Sequence, residues 1–445
     1  MKEPVSTDST QSLLGRRRQS MGGAYRLFYD QPVHIVSGEG VWLYDVDGNE
    51  YLDVYNNVPH VGHCHPRVVG AICDQARTLN THTRYLHELV VEYAEKLTAR
   101  FPDGLDTAMF ACTGTEANEL ALRLARASTG ATGMIVTDNA YHGNSWAIAQ
   151  ITTTYESSEK RADNIVTVPV PDSYRGPYAG HPQAADKYAA HLQEAIDTLH
   201  RRGLRPAAFI VDTIFSNEGL PTVPAGYLAT AVDIVRKAGG LFIADEVQPG
   251  FGRMGSHFWG FEKHAVIPDI ATMGKPMGNG YPVSAVVTSR GVIKAFARHS
   301  HYFNTFGGTP VACAAALAVL EVIEQENLQA NALDTGNYLL EGLRDLALGE
   351  PLIGDIRGGG LFIGIDLVRD KTSREPAAAE TARAVNLLRQ QGVLIGSTGK
   401  FDNILKIRPP LVFSKQDADF LLRKLSLVMS QLRRTDDNIR GGQAS

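Results

Sequence analysis

Through the middle of this 445-residue chain, short apolar runs alternate with amphipathic helical stretches, and no other feature limits the fold as much. Met134–Asp138 (MIVTD), Ala207–Asp212 (AAFIVD), Leu241–Asp245 (LFIAD) and Val283–Ser289 (VSAVVTS) read as buried strands. Between Thr115 and Ser128, Ala117, Leu120, Ala121 and Leu124 fall at i, i+3, i+4 and i+7, one face of a helix. Tyr227–Ala238 and Pro310–Gln325 fit further helices. Strands alternating with helices predict an α/β fold, a mostly parallel sheet flanked by helices on both faces.

The two ends read differently. Val41–Asp53 has the pattern of a hairpin turning at Asp47-Gly48. After about Asn331 come a helix, the Gly-rich stretch Arg357–Val368, and two more helical stretches. The expectation is a small α+β domain built from both termini around a large central domain. It divides the chain into a mobile N-terminal arm (1–25), small-domain parts at 26–75 and 331–433, a large domain at 76–330, and a frayed tail at 434–445.

Charge and cysteine content remove several function classes. Forty-three Lys and Arg against 48 Asp and Glu give a net charge of −5, which disfavours a nucleic-acid binder. Cys64, Cys73, Cys112 and Cys313 form no C-x-x-C pair, so neither structural zinc nor a disulfide scaffold is indicated. His63-x-His65 lacks the carboxylate or cysteine pattern that would complete a metal site, and no metal is expected. No run approaches the ~20 apolar residues of a membrane span. The basic cluster Arg16–Arg18 precedes no long apolar segment, and a cytoplasmic location is the default expectation.

Three elements carry chemistry. Asp245 ends an apolar strand, and open parallel sheets gather ligands beyond the carboxyl ends of their strands. Alone, it could equally be a helix cap. Lys275 lies 30 positions later among glycines (MGKPMGNG), where desolvation can activate an amine for Schiff-base chemistry. Alone, it could be a surface lysine. In Cys112–Arg126 a strand-like segment ends at Thr113-Gly114-Thr115 and a helix begins, so free N–H groups there favour a phosphate.

These elements sit in an ordered series of motifs. It comprises Asp47–Asp53 (DGNEYLD), Gly62–Pro66 (GHCHP), Gly114–Asn118 (GTEAN), Tyr141–Gly143 (YHG), Asp245–Arg253 (DEVQPGFGR) and Thr305–Gly308 (TFGG). The series resembles the class III aminotransferase family of fold type I, dependent on pyridoxal 5′-phosphate (PLP), from Val41 to about Ser414. The resemblance implies that Lys275 forms the Schiff base and that Asp245 keeps the pyridine nitrogen protonated. It also implies that Gln248 lies near the ring 3′-oxygen, that Tyr141 stacks on the ring, and that His142 is a neighbour. Gly114 and Thr115 should hold the cofactor phosphate. Thr305 should reach it from the partner subunit of a homodimer or higher homo-oligomer. Arg357-Gly-Gly-Gly is not a dinucleotide loop, because Leu361–Val368 reads as a strand.

Two departures bear on the reaction. Where many family members carry an arginine for a keto-acid carboxylate (Arg-x-x-Pro-Pro), this chain has Lys406 in KIRPP; Arg408, two places on, falls on the same face of a strand and could substitute. Where the family pattern has a second glutamate that neutralises that arginine, this chain has Asn217, with Glu218 one residue off register. Losing one alone would strand a charge, so the paired loss suggests that no α-keto acid is handled. NNVPHVGHCHP (56–66), NTHTRYLH (80–87), PDSYRGPY (171–178) and TMGKPMGNG (272–280) resemble the PLP-dependent phospho-lyases that act on ethanolamine phosphate or phosphohydroxylysine. The reaction so implied is β-elimination of phosphate from O-phosphoethanolamine, giving acetaldehyde, ammonia and phosphate, with Lys275 as general base. Cations must then hold the substrate phosphate. Candidates are Arg84, Arg26, Lys406 and Arg408, with Asn56 and Asn57 as donors. The alternative is an amino- or amine transaminase of the alanine–glyoxylate aminotransferase 2 type. A third class, a non-catalytic PLP-binding regulator, fits poorly beside Lys275 and Asp245.

Overall fold

The computed structural model describes residues 9–155 and 161–441, with residues 434–441 described as helix backbone alone. Thr10–Met21 form α1, capped by the Ser9 side chain and with no buried residue; residues 1–8 lie outside the described residues. β1 (Ile35–Glu39), β2 (Trp42–Asp45) and β3 (Glu50–Asp53) make an antiparallel ribbon. It turns where Asp45 Oδ1 accepts the amides of Asp47 and Asn49 and Gly48 adopts φ 82°. That positive φ is why Gly follows Asp47.

α2 (Pro66–Thr78) and α3 (Glu88–Thr98) lead into a seven-stranded sheet. Its strands are β4 (Thr107–Ala111), β5 (Gly133–Thr137), β6 (Ile165–Val168), β7 (Pro206–Asp212), β8 (Leu241–Asp245), β9 (Ile270–Met273) and β10 (Ser284–Thr288), in the order β4-β10-β9-β8-β7-β5-β6. From β9 to β6 neighbouring strands are parallel; β10 runs antiparallel to both β9 and β4. The helices are α4 (Gly114–Thr129), α5 (Trp146–Ala149), α6 (Ala184–Arg201), α7 (Tyr227–Lys237), α8 (Arg290–Ala297) and α9 (Pro310–Gln325). Strand alternation assigns the faces. Ala208 and Ile210 of β7 pack with Leu120 and Leu124 of α4, whereas Phe209 and Val211 pack with the α6 and α7 residues Leu192 and Val232. Residues buried on both faces explain the unbroken apolar runs.

α10 (Leu328–Leu348) opens the C-terminal part. β11 (Ile353–Gly359) and β12 (Phe362–Asp370) form the hairpin that contains the Gly-rich stretch, so Leu361–Val368 is largely strand. β13 (Glu375–Pro376) pairs with β12, and α11 (Ala378–Gln390) follows. β14 (Val393–Leu394) runs parallel beside β3, bringing the two ends of the chain into one sheet. β15 (Gly396–Thr398) and β16 (Ile404–Ile407) complete the sheet of β11 and β12. α12 (Lys415–Gly441) continues through most of the expected tail, and 442–445 lie outside the described residues. Residue 75 falls inside α2 and residue 330 inside α10. Among the described residues, no helix is long and apolar enough to cross a membrane.

Candidate active site

The carboxyl ends of β4, β5, β7, β8 and β9 converge on a cavity of about 330 Å³ lined by Gly114, Thr115, Tyr141, Asp245, Gln248 and Lys275. Strand pairing sets Asp212 opposite Asp245 and Asp245 opposite Thr272, so the side chains that end these strands cluster by register alone.

Asp245 is buried, and three donors hold its carboxylate. Asn118 Nδ2 reaches Oδ2 at 2.9 Å, His142 Nδ1 lies 2.7 Å from the same oxygen, and the Val247 amide reaches Oδ1 at 3.1 Å. Thr272 Oγ1 donates to Asn118 Oδ1 at 2.6 Å, which turns the Asn118 amide nitrogen toward Asp245. His142 Nε2 is buried without a partner. The arrangement aims a fixed anion at the cavity, suited to a cationic N–H.

α4 begins at the cavity because Thr113 and Glu116 form a capping box. The Glu116 amide donates to Thr113 Oγ1 and the Ala117 amide to the Thr113 carbonyl. Among the described residues the amides of Gly114 and Thr115 have no protein acceptor, which is the arrangement an anion requires. The loop after β5 closes over them. At Gly143, φ is 138° and a Cβ would stand 2.5 Å from Thr115 Oγ1, so only glycine fits.

Lys275 follows β9 by two residues. Enclosure by protein, then the like charge of Arg408, lower its amine to about 8, while Asp245 and Asp212 oppose the shift. A substantial neutral fraction near neutral pH makes it a nucleophile and a base.

A second cavity of about 350 Å³ shares Tyr141, Gln248 and Lys275 with the first and adds Tyr55, Lys406 and Arg408. Lys406 and Arg408 are 5% and 7% exposed. Arg408 Nε donates to the Tyr55 carbonyl at 2.8 Å, and its Nη1 donates to Gln248 Oε1. Gln248 Nε2 in turn donates to Ser216 Oγ at 2.5 Å, and Ser216 donates to the buried Asp212 carboxylate. Among the described residues, no carboxylate forms an ion pair with either cation. Burial, and Arg408 beside it, hold the Lys406 amine well below its ordinary range; burial likewise lowers Arg408.

The other expected residues fall elsewhere. Arg84 is exposed with its guanidinium 4.0 Å above the Phe303 ring, and Arg26 and Thr305 are exposed; none of the three lines either cavity within this chain. Asn56 Oδ1 accepts the Val58 amide at 3.1 Å, and Asn57 is buried outside both cavities. Asn217 faces the second cavity, while Glu218 lines a different one and accepts from Thr137 Oγ1 at 2.7 Å. His63 bonds Asp53 at 2.8 Å and His65 bonds Glu326 at 3.1 Å. Among the described residues no group of three or more His, Cys, Asp or Glu is placed to hold a metal. Sequence reading passed over Asn118, Thr272, Ser216 and Tyr55. Asn118 stood within GTEAN, one helical turn after Gly114, and that spacing was the available signal.

Free amides at a helix start, a buried anion and a lysine of lowered pKa on one cavity wall fit PLP. Gly114 and Thr115 would take its phosphate, Asp245 its ring nitrogen and Lys275 its aldehyde. The fold and site are those of a PLP-dependent enzyme of fold type I. The family model for class III aminotransferases matches residues 28–429, and the chain belongs to that family. It is 45% identical over 417 residues to an alanine–glyoxylate aminotransferase 2-like protein of Drosophila melanogaster, covering 91% of this chain and 84% of the relative. It is 38% identical over 449 residues to ethanolamine-phosphate phospho-lyase homolog 1 of Caenorhabditis elegans, covering 96% and 95%. Proteins named for alanine–glyoxylate aminotransferase 2, from Arabidopsis thaliana and Homo sapiens, are 42% and 36% identical. A solved phospholyase from Arthrobacter in complex with phosphoethanolamine superposes with a TM-score of 0.92 at 46% identity, covering 94% of this chain and 99% of that one.

Proposed function

We propose that the protein is a phospho-lyase that eliminates phosphate from O-phosphoethanolamine, giving acetaldehyde, ammonia and phosphate. The observation that carries this reading is the pair of buried cations, Lys406 and Arg408, facing the same cavity as Lys275 with no carboxylate to neutralise either. Two buried basic groups without an ion-paired carboxylate suit a dianionic phosphate better than a carboxylate. The Arthrobacter phospholyase, with phosphoethanolamine bound, supports the reading.

Bound PLP supplies the electron sink that makes a proton on the amine-bearing carbon removable. Lys275 Nζ takes that proton. Asp245 holds the proton at the ring nitrogen, steadied by Asn118 and His142. Tyr141 and Gln248 orient the ring. Lys406 and Arg408 hold the phosphate and stabilise it as it leaves. Water then hydrolyses the released enamine, so one substrate and one water balance the products and no keto acid is needed.

The same reading takes the enzyme as a cytoplasmic homodimer or higher homo-oligomer, with Thr305 of one subunit reaching the other's cofactor phosphate. Exposed Tyr85, Leu86, Phe303 and Phe306 would be covered at such an interface. The deciding experiment gives purified protein PLP and O-phosphoethanolamine without keto acid. Phosphate and acetaldehyde should appear in equal amounts, and no release rejects the proposal. The second reading, a transaminase, is favoured by the names of similar proteins from Drosophila melanogaster, Arabidopsis thaliana and Homo sapiens, and requires turnover only after an acceptor is added.

A further inference from the structure

The segment Pro171–Tyr178 resembles the phospho-lyases yet lines neither cavity that holds Lys275. It lies between β6 and α6 and reaches across to the C-terminal sheet. Arg175 Nη2 donates to Asp366 Oδ1 at 2.6 Å, and its Nη1 donates to the Arg374 carbonyl. Arg374 returns a bond to the Tyr174 carbonyl and stands 4.6 Å above the Tyr174 ring. Asp366 has no exposure and takes two further donors, Arg357 Nη2 at 2.9 Å and Asn403 Nδ2 at 2.7 Å. Arg357 Nε also donates to the Gly219 carbonyl at 3.0 Å, beside Asn217 on the cavity wall.

Asp366 sits in β12 opposite Ile404 of β16, and Gly364 sits opposite Lys406. Alternation puts Asp366, Ile404 and Lys406 on one face of that sheet. That face rests on the turn after β7, where a Cβ on Gly219 would meet Ile404 Cδ1 at 2.4 Å. Two arginines on one buried carboxylate therefore fasten the face that bears Lys406 to the domain that bears Lys275.

We propose that Arg175 is a positioning residue that, through Asp366, sets where Lys406 meets the substrate phosphate. The proposal rests on the phospho-lyase reading for its substrate, but the latch has a readout of its own. The test compares Arg175→Met and the charge-keeping Arg175→Lys, alone and combined with Lys406→Met, as PLP-loaded protein. KM for O-phosphoethanolamine should rise about tenfold in Arg175→Met, less in Arg175→Lys, with kcat changed less than KM. Adding Arg175→Met to Lys406→Met should cost less than about twofold more. Equal fold-losses in both backgrounds would overturn the proposal, because Arg175 would then act independently of Lys406. Hydrogen exchange at the β16 amides is read whatever the substrate proves to be. It should quicken in Arg175→Met, and unchanged protection there overturns the latch. No phosphate release by the wild-type protein would overturn the phospho-lyase reading alone.

Discussion

Lys406→Met should move stability and substrate affinity in opposite directions. Lys406 is 5% exposed, faces Arg408 and Lys275, and has only the aromatic face of Phe362, 5.8 Å away, and the more distant Asp212 and Glu218 to favour its charge. Its folded pKa is therefore depressed. The unfolded chain binds a proton at ~10.4 that the folded chain binds only at much lower pH. Stability is accordingly lost as pH falls from the unfolded value and stays low below the folded one. Methionine of similar length removes that penalty. At pH 7 the variant should gain about 1–3 kcal/mol, as when buried charges are replaced by apolar groups, and melt about 1–3 °C higher.

The substrate phosphate meanwhile loses one charge-assisted hydrogen bond, worth ~1.5–3 kcal/mol, so kcat/KM for O-phosphoethanolamine should fall about ten- to a hundredfold. Thermal melting and steady-state phosphate release read the two effects separately. A lower melting temperature together with KM within twofold of wild type would refute the reasoning. It would show that Lys406 is a satisfied structural cation.

Two further outcomes concern titration. Only the neutral Lys275 amine can attack the cofactor aldehyde, so apoprotein should take up PLP faster as pH rises, with a midpoint near the lowered value of about 8. Arg408→Met removes a like charge and should move that midpoint upward in stopped-flow absorbance; an unmoved midpoint would show that Arg408 does not tune Lys275. Burial, then Asp212, raises Glu218 to about 8, so the folded state holds a proton that the unfolded chain loses near ~4.3. Stability from this group is present below the unfolded pKa and lost as pH rises through about 8. The melting-temperature gain of Glu218→Gln should therefore be larger at pH 8.5 than at pH 5; an equal gain would contradict the assignment.

Helix and strand positions were legible where local chemistry marks them. α9 starts at Pro310, as Pro at a first helical position requires, and α7 follows Gly226 at φ 83°. The direction of β10 was not legible: apolar runs report burial on both faces, and an antiparallel strand beside parallel ones leaves the same pattern. The residues that line the first cavity were legible because they end strands or start a helix, where motif and geometry coincide. Arg84 was not, because neighbourhood in a resembling stretch says nothing of where a long side chain points, and here it lies on Phe303. The Arg175 network was hidden for a related reason. Its partners are about 190 residues apart in the chain, and only the packing of the segment after β6 against the C-terminal sheet joins them.

The absent switch carboxylate raises one last question, namely how two cations share an empty cavity without a counter-ion. A lysine of depressed pKa can supply the answer by shedding its proton. Burial, Arg408 and Lys275 all disfavour the charged form of Lys406, and an arriving dianion would favour it. Asp212 and Glu218 act on it in the opposite sense, and burial raises both acids, Glu218 to about 8. Binding of O-phosphoethanolamine should then carry proton uptake. Calorimetry at pH 8 in buffers of different ionisation enthalpy measures it directly, as a slope of apparent binding enthalpy against buffer enthalpy. The slope should shrink in Lys406→Met, whereas Arg408→Met should keep most of it. A slope of zero in the wild-type protein would mean that Lys406 is charged throughout, and the cavity would then need a counter-ion this chain does not provide.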